Sequence, residues 1–378
     1  MTELRAEVDA RAPAGELPAT SVVGGIPLIV RPLRQLARLG FRAAHVVVDD
    51  AGAAERIRGA LARHPIPSSL AVELGAGAAA APTLVLDGRA IYRAADLAAA
   101  AAAGTSAADD AADGPRSPRP LLRVRTPGDA AAAERALYHQ IRKSVDADGV
   151  FAHHIIRPLT RPLSRALLAT PVTPNQVTAA ALACAVGAAL LLAAGGLGRA
   201  ALAGALYFAG NALDCIDGDL ARLRLQSSKL GEWLDSMTDE IATFSVLAGL
   251  GVGLWRDGAG AAWLWIGPGG AAIGALAVAC LYVDLHRMRL PIDTAQFPWF
   301  FARPPGAGPA AEKRTPLGTA LYGLGFLIRR DANVTGVTIM LLAGWRELAA
   351  ALVAAGAVAG ALVTATHYAV TAARRTRS

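Results

Sequence analysis

The feature that most constrains the fold of this chain is a series of long apolar runs after Pro174, rich in Ala, Leu, Val and Gly. A run of about 20 apolar residues is long enough for a helix to cross a bilayer. Six such runs lie at about residues 177–197, 199–221, 232–255, 261–285, 332–346 and 347–370. They predict an all-α integral membrane domain of six transmembrane helices over residues 173–378.

The first hundred residues have the composition of an ordinary soluble protein. The segment from Pro27 to Leu39 is predicted as a helix that Gly40 ends, and AAHVVVD and PTLVLD are predicted as buried strands. Strands that alternate with helices indicate an α/β layer with a mostly parallel sheet. We therefore expect a soluble α/β domain over residues 1–104. No secretory signal is expected, because MTELRAEVDARAPAGEL is polar and lacks an apolar core.

Two segments connect these domains. Residues 105–129 are Ala-rich and then polar with Pro, which predicts a linker. Residues 130–172 form a juxtamembrane region in which Arg157, Arg161 and Arg165 share one helix face, and Pro158 and Pro162 are expected to bend or break that helix. An amphipathic helix at the level of the lipid head groups is predicted, with a solvated basic face as the alternative.

Basic residues indicate the orientation in the membrane. If the N-terminus is cytosolic, the loops on that side hold sixteen Lys and Arg residues, and the other side holds three, Arg199, Arg256 and Arg346. Such an excess predicts that the protein lies in the cytoplasmic membrane, with its N-terminal domain and its active site facing the cytosol. The net charge of +7 is thereby explained without a nucleic-acid partner. Single, scattered cysteines suggest neither disulfides nor a thiolate metal site.

The stretch DCIDGDLARLRLQSSKLGEWLDSMTDE, residues 214–240, places carboxylates beside the apolar runs. Asp214 and Asp217 are three residues apart, and Asp235 and Asp239 are four apart, so each pair lies on one helix face. Both pairs lie toward the cytosolic ends of their helices. Converging carboxylates in a low-dielectric pocket repel one another, and a pair of divalent cations, Mg²⁺ or Mn²⁺, relieves that repulsion.

Other residues of this stretch suggest what the cations act on. Gly218 and Gly231 leave space for a ligand against the helix backbones, and Arg222 is placed to meet phosphate oxygens. Cations, carboxylates, space and an Arg together indicate a site that cleaves a pyrophosphate. Asp219 points away from the Asp217 face and is predicted as a surface or interface residue.

Eight positions at fixed spacing resemble the signature of the CDP-alcohol phosphotransferase family. They are Asp214, Asp217, Gly218, Ala221, Arg222, Gly231, Asp235 and Asp239. The resemblance extends over about residues 140–370 and includes TPNQVT before the first apolar run. Glu240 departs from the family, in which Arg is common at this position. The pairing with the N-terminal domain is similar to the two-domain arrangement of inositol-phosphate members.

The resemblance implies a role for each matched residue. Asp214, Asp217, Asp235 and Asp239 would hold two divalent cations, and Asp239 would also be the general base for the acceptor hydroxyl. The CDP-binding residues would be Asp214, Gly218, Ala221, Arg222, Gly231 and Asp235. The acceptor oxygen would attack the phosphorus that carries the donor alcohol, and CMP would leave. The family also implies a homodimer.

The substrates remain open at this stage. The resemblance implies a basic pocket for an acceptor such as a phosphorylated polyol, for which Lys143, Arg161, Arg329 and Arg330 are candidates. One product would be a phospholipid such as a phosphatidylinositol phosphate; the alternative is a soluble di-inositol phosphate made from CDP-inositol. A divalent-cation transporter is the non-enzymatic alternative, since buried carboxylates also mark ion pathways.

The N-terminal segment GIPLIVRPLRQLARLG resembles the nucleotidyltransferase fold of sugar-phosphate cytidylyltransferases. The Gly-rich basic loop that would cradle a triphosphate is missing upstream. Asp87 falls where such enzymes keep a metal-binding Asp. We interpret the domain as a degenerate scaffold or regulatory module.

Overall fold

The computed structural model describes residues 5–78, 82–106, 117–142, 148–290, 297–299 and 330–375. The chain divides into two compact units. The N-terminal unit comprises Met1–Arg142, Arg165–Pro171 and Leu220–Gln226. The C-terminal unit comprises Lys143–Ser164, Val172–Asp219 and Ser227–Ser378.

The N-terminal unit is an α/β fold. Its strands are β1 (Arg5–Asp9), β2 (Val22–Val23), β3 (Ile26–Pro27), β4 (Ala43–Val47), β5 (Ala71–Gly75), β6 (Leu84–Asp87), β7 (Ala90–Ile91) and β8 (Leu122–Arg123). Its helices are α1 (Val30–Arg38), α2 (Ala51–Arg63), α3 (Ala94–Ser106) and α4 (Pro127–Ile141).

A four-stranded sheet in the order β5-β4-β1-β6 carries the core of this unit, and all three of its strand pairings are parallel. The predicted parallel sheet is thus confirmed. Alternation places Ala6 and Val8 of the central strand in the core, against Val46 and Leu84. Strand β1 is not predicted by the sequence pattern, because RAEVD offers only two apolar residues to mark it.

The remaining described residues add helical segments. They are a π-helix (Ala152–Ile156), α5 (Arg157–Leu168), α6 (Pro174–Ala193), α7 (Leu197–Leu223), α8 (Lys229–Arg256), α9 (Ala262–Leu264) with a second π-helix (Trp265–Gly269), α10 (Gly270–Arg287), α11 (Arg330–Leu342) and α12 (Arg346–Arg375).

Each predicted apolar run coincides with helix in the described residues. Among the described residues, four helices are long and apolar enough to cross a membrane: Pro174–Ala193, Lys229–Arg256, Ala262–Arg287 and Arg346–Arg374. Helix α7 is longer than a bilayer requires but is not among the four, and the 13 residues of α11 span only about 20 Å. The count of six transmembrane helices therefore stays a prediction.

Helix α5 is not broken by its prolines. Pro158 lies in the first turn, where a missing N–H is tolerated, and Pro162 lies inside the helix. Ile155, Leu159 and Leu163 recur every four residues and are exposed. This apolar stripe agrees with an amphipathic segment, and its place at the head groups stays a prediction.

Helices α6 and α8 pack closely through glycine. A Cβ on Gly249 would overlap the carbonyl oxygen of Ala189, and a Cβ on Gly253 would overlap that of Leu192. Without a strong hydrophobic drive inside a bilayer, such small residues let two helix backbones approach.

We expect Gly249→Ala to destabilise the protein by about 1–3 kcal/mol, because the added methyl must push α8 away from α6. Thermal unfolding of the detergent-solubilised protein measures this as a lower Tm. Gly336→Ala is the matched control, since a Cβ there meets nothing within 4 Å. Equal melting temperatures for the two variants would contradict this account of the packing.

Candidate active site

Three carboxylates converge between α7 and α8. One oxygen from each of Asp214, Asp217 and Asp235 lies within 4.8 Å of the others. Asp217 is buried, Asp214 is half-buried and Asp235 is exposed, so the cluster reaches from the protein interior to its surface. The helical spacing of the acids, read from the sequence, accounts for this convergence of the two helices.

Helix α6 supplies a neutral donor to this cluster. The Thr178 hydroxyl donates a hydrogen bond to Oδ2 of the buried Asp217. Thr178 is placed by the start of the helix, where Thr173 and Gln176 form a capping box and Pro174 occupies the first turn. Thr178 is not among the predicted site residues, although TPNQVT contains both the capping signal and this residue.

Asp239 joins the cluster through Arg330. Arg330 Nη1 forms an ion pair with Asp239 and lies 3.1 Å from Oδ2 of Asp214. One oxygen of each acid, Oδ1 of Asp214 and Oδ1 of Asp239, is buried and has no hydrogen-bond partner among the described residues. Buried carboxylate oxygens without partners are costly, and they are the hard ligands that divalent cations prefer. These side chains therefore fit a metal site.

The predicted CDP-lining residues flank the acids along the same helices. Gly218 and Ala221 are half-buried on α7. Gly231 donates its backbone N–H to Ser228 Oγ at 3.0 Å, at the capped start of α8. A Cβ at Gly231 would lie 3.2 Å from Ser228 Oγ and 3.8 Å from Asn175 Oδ1. Arg222 belongs to the N-terminal unit and lines a cavity there.

The four candidates for acceptor binding are distributed differently. Arg330 is part of the acidic cluster. Arg161 is exposed on α5, and no ion pair or hydrogen bond of its side chain is found among the described residues. Lys143 and Arg329 lie outside the described residues.

The prediction that Asp219 is a surface or interface residue is wrong. Asp219 is only 6% exposed and accepts from Arg157 Nη1 at 2.5 Å. Arg157 also forms an ion pair with Asp148, so it belongs to a buried network rather than to a solvated basic face. Helix spacing showed which way Asp219 points but could not show that the residues after Gly149 cover that side of α7.

Asp331 holds the start of α11, where Arg330 sits. Its Oδ2 accepts from the backbone N–H of Phe151 at 2.9 Å and of Ala152 at 3.2 Å. Gly149 has φ +94°, and a Cβ there would overlap the Asp331 carboxylate. This glycine therefore lets the backbone before the π-helix approach Asp331, which in turn positions Arg330.

Acidic residues at the carboxyl edge of the N-terminal sheet have basic partners. Asp9 and Asp87 end neighbouring parallel strands. Arg11 binds Asp9 at 2.9 Å, and this hydrogen bond lowers the pKa of Asp9. Arg123 lies 3.6 Å from Asp87, which also accepts from the backbone N–H of Arg89 at 2.9 Å. Asp87 is thus engaged as a turn and ion-pair residue.

Comparison with known proteins bears on the C-terminal unit. The profile of the family described as CDP-alcohol phosphatidyltransferase matches residues 171–297. The chain is 38% identical over 125 residues to the bifunctional IPC transferase and DIPP synthase of Thermococcus kodakarensis, which is 33% of this chain and 28% of that protein. For the protein of the same name from Rubrobacter xylanophilus the identity is 39% over 106 residues, 28% and 24% of the two chains.

A third relative is the phosphatidylinositol phosphate synthase of Mycobacteroides abscessus, 30% identical over 139 residues, 35% of this chain and 55% of that protein. The alignments span about a quarter of the bifunctional relatives and about half of this synthase. The matched segment includes α6, α7 and α8, with all eight positions of the fixed-spacing motif. Residues 171–297, which carry the converging carboxylates, therefore match the CDP-alcohol phosphatidyltransferase family.

Proposed function

We propose that this protein transfers a phosphoalcohol group from a CDP-alcohol to an acceptor hydroxyl and releases CMP. The observation that carries the proposal is the convergence of Asp214, Asp217 and Asp235 within 4.8 Å, with buried oxygens of Asp214 and Asp239 that lack partners among the described residues. Asp214, Asp217, Asp235 and Asp239 would hold two divalent cations, Mg²⁺ or Mn²⁺. When bound, such ions neutralise the carboxylates and the developing charge on the transferred phosphoryl group.

The chain's own residues would then orient and deprotonate the reactants. Gly218, Ala221, Arg222 and Gly231 line the CDP moiety in this proposal, together with Asp214 and Asp235. Asp239 accepts the proton of the acceptor hydroxyl, whose oxygen forms the new bond to phosphorus while the bond to the CMP oxygen breaks. Beside bound cations Asp239 would be ionised, and it would then work by position rather than by a raised proton affinity.

The acceptor proposed here carries a phosphate of its own. Arg330 lies at the acids and carries a guanidinium that suits a phosphate oxygen pair, and Arg161, Arg329 and Lys143 are further candidates. In the structure Arg330 pairs with both Asp214 and Asp239, one positive charge against two negative ones. Bound cations would then pair with the carboxylates, and the acceptor phosphate would pair with Arg330.

For the donor we propose CDP-diacylglycerol, so that the product is a phospholipid such as a phosphatidylinositol phosphate. The name of the Mycobacteroides relative supports this choice. The second candidate is CDP-inositol with a soluble di-inositol phosphate as product, which the names of the bifunctional relatives favour. The N-terminal unit gives less support to the second, because Asp9 and Asp87 at its sheet edge are already paired with arginines.

The membrane arrangement belongs to the same proposal. We propose six membrane-spanning helices, with α7 and the α11 region added to the four apolar ones, an active site and N-terminal domain on the cytosolic side, and a homodimer. The segments 1–104, 105–129, 130–172 and 173–378 would be the soluble domain, the linker, the juxtamembrane region and the transferase domain.

The central test offers purified protein CDP-diacylglycerol or CDP-inositol, each with inositol phosphate, inositol or glycerol phosphate, and measures CMP and product. We expect product from one donor with a phosphorylated acceptor. If no pair releases CMP and metal-loaded liposomes containing the protein instead transport Mg²⁺, the carboxylates belong to an ion pathway and the proposal is wrong.

Asp239→Asn should lower the rate of CMP release by about 10²–10⁴-fold, the usual contribution of a general base. Glu240→Gln is the matched control, because Glu240 is the next residue and its carboxylate meets the Tyr282 hydroxyl at 3.4 Å instead of the cluster. Glu240→Gln should keep most of the activity. Equal losses in the two variants would remove the base assignment.

Thr178→Val should weaken the response to Mg²⁺ by about 10–100-fold, because it removes the donor that orients Asp217. The concentration of Mg²⁺ for half-maximal activity, and Mn²⁺ binding followed by electron paramagnetic resonance, both measure this. Thr178→Ser restores the hydroxyl and should restore both quantities. A loss that Ser does not rescue would point to packing rather than to metal binding.

Arg330→Ala should raise the KM for a phosphorylated acceptor by about tenfold or more, with little change in the KM for the CDP-alcohol. The same assay on Arg161→Ala tests the exposed candidate, and Arg38→Ala, on a helix of the other unit, is the control. A rise in the KM of the donor alone would assign Arg330 to the CDP pocket instead.

A further inference from the structure

The N-terminal unit contains a cavity of about 360 Å³. It is bounded by the start of α1, the junction of β7 with α3, the end of α4 and part of the segment 222–225, all within this unit. Its volume is in the range of small-metabolite sites. None of the described residues that line it is acidic, whereas Arg31, Arg93 and Arg222 all line it.

Arg31 is the buried cation of this cavity. It is only 4% exposed, and none of the described carboxylates forms an ion pair with it. Its Nη2 donates to the carbonyl oxygens of Val23 at 2.6 Å and Gly24 at 3.1 Å, while its Nε has no partner among the described residues. Burial, with a contribution from the charge of Arg34, lowers the pKa of Arg31 to about 9. Burying a guanidinium without a counter-ion costs free energy of folding. A bound anion beside Arg31 would offset that cost.

The turn between β2 and β3 is shaped around this guanidinium. Gly24 and Gly25 both have positive φ, +57° and +81°, as a tight hairpin turn requires. A Cβ on Gly24 would lie 2.6 Å from Arg31 Nη2. The turn therefore holds the side chain through Nη2, and the N–H of Nε stays without an acceptor among the described residues.

Two further features of the lining suit an anion. Ala94 and Ala95 begin the 13-residue helix α3, whose first backbone N–H groups lack helical acceptors. Gln35 and Gln140 add amide groups that bond hydroxyls. Asp96 also lies in the first turn of α3 but does not line the cavity.

We propose that this cavity is a binding site for a small phosphate monoester, held by Arg31 and Arg93 and by the start of α3. Guanidinium groups pair two N–H donors with two phosphate oxygens, and a helix N-terminus adds backbone donors to the same dianion. The amides and the volume suit the hydroxyls of a polyol or a nucleoside monophosphate. Arg31 and Arg93 take no part in the transferase reaction proposed above; Arg222, which also lines the cavity, is left to the CDP site.

The test uses the full-length protein in detergent with glycerol 3-phosphate, CMP or sulfate as the probe. Hydrogen exchange should show protection of residues 22–25 and 90–97 with a phosphate monoester. The ester concentration that gives half of this protection should rise by about tenfold or more in Arg93→Ala and be unchanged in Arg38→Ala, an exposed arginine on α1 that does not line the cavity. Protection by glycerol 3-phosphate alone indicates a polyol phosphate, and stronger protection by CMP indicates a nucleotide.

Arg31→Gln should abolish the protection of residues 22–25 and 90–97; if that variant fails to fold, Arg93→Ala decides, since Arg93 is exposed. Wild-type affinity in Arg93→Ala, no protection by either ester, or equal protection by sulfate, which indicates an adventitious anion only, would each overturn the proposal. CMP release by Arg93→Ala should stay within about twofold of wild type, which separates this site from the transferase reaction.

Discussion

Carboxylates held close together in a largely apolar helical unit repel one another unless positive charge or hydrogen-bond donors lie nearby. The side chains around this cluster supply both. Asp214, Asp217 and Asp235 converge from two helices. Arg330 supplies a positive charge to Asp214, and the neutral hydroxyl of Thr178 donates a hydrogen bond to Asp217. Oxygens of Asp214 and Asp239 still lack partners among the described residues, so the cluster keeps negative charge that the proposed cations would offset.

The second buried charge network of the C-terminal unit solves the same problem with protein groups alone. Arg157 lies between Asp148 and Asp219, so each carboxylate there has a guanidinium partner. The contrast within one helix is informative: on α7, Asp219 pairs with Arg157, while Oδ1 of Asp214 is buried and has no partner among the described residues. Proximity in sequence does not decide which acid is paired within the protein and which keeps an oxygen without a partner; the neighbouring elements decide it.

Periodicity and motif spacing account for the features that the sequence could reveal. The parallel sheet, the position of the apolar helices and the shared face of Asp214 and Asp217 all depend on local repeats, and each appears in the structure. Thr178, Asp331 and the partner of Asp219 could not be found in this way, because each acts on a residue at least 39 positions away in the chain. Strand β1 was missed for a different reason: only two of its five residues face the core, too few for a pattern.

Helix α6 meets its neighbours at both of its ends. Near its start, Asn175 lies close to Gly231 and Thr178 binds Asp217, and near its end the carbonyl oxygens of Ala189 and Leu192 abut Gly249 and Gly253. Helices α6 and α8 therefore run in the same direction with their register fixed at two levels. One inserted residue between Gly231 and Gly249 would rotate the remainder of α8 by about 100° and shift it by about 1.5 Å. The length of this stretch of α8 is accordingly a stricter requirement than the identity of most side chains along it.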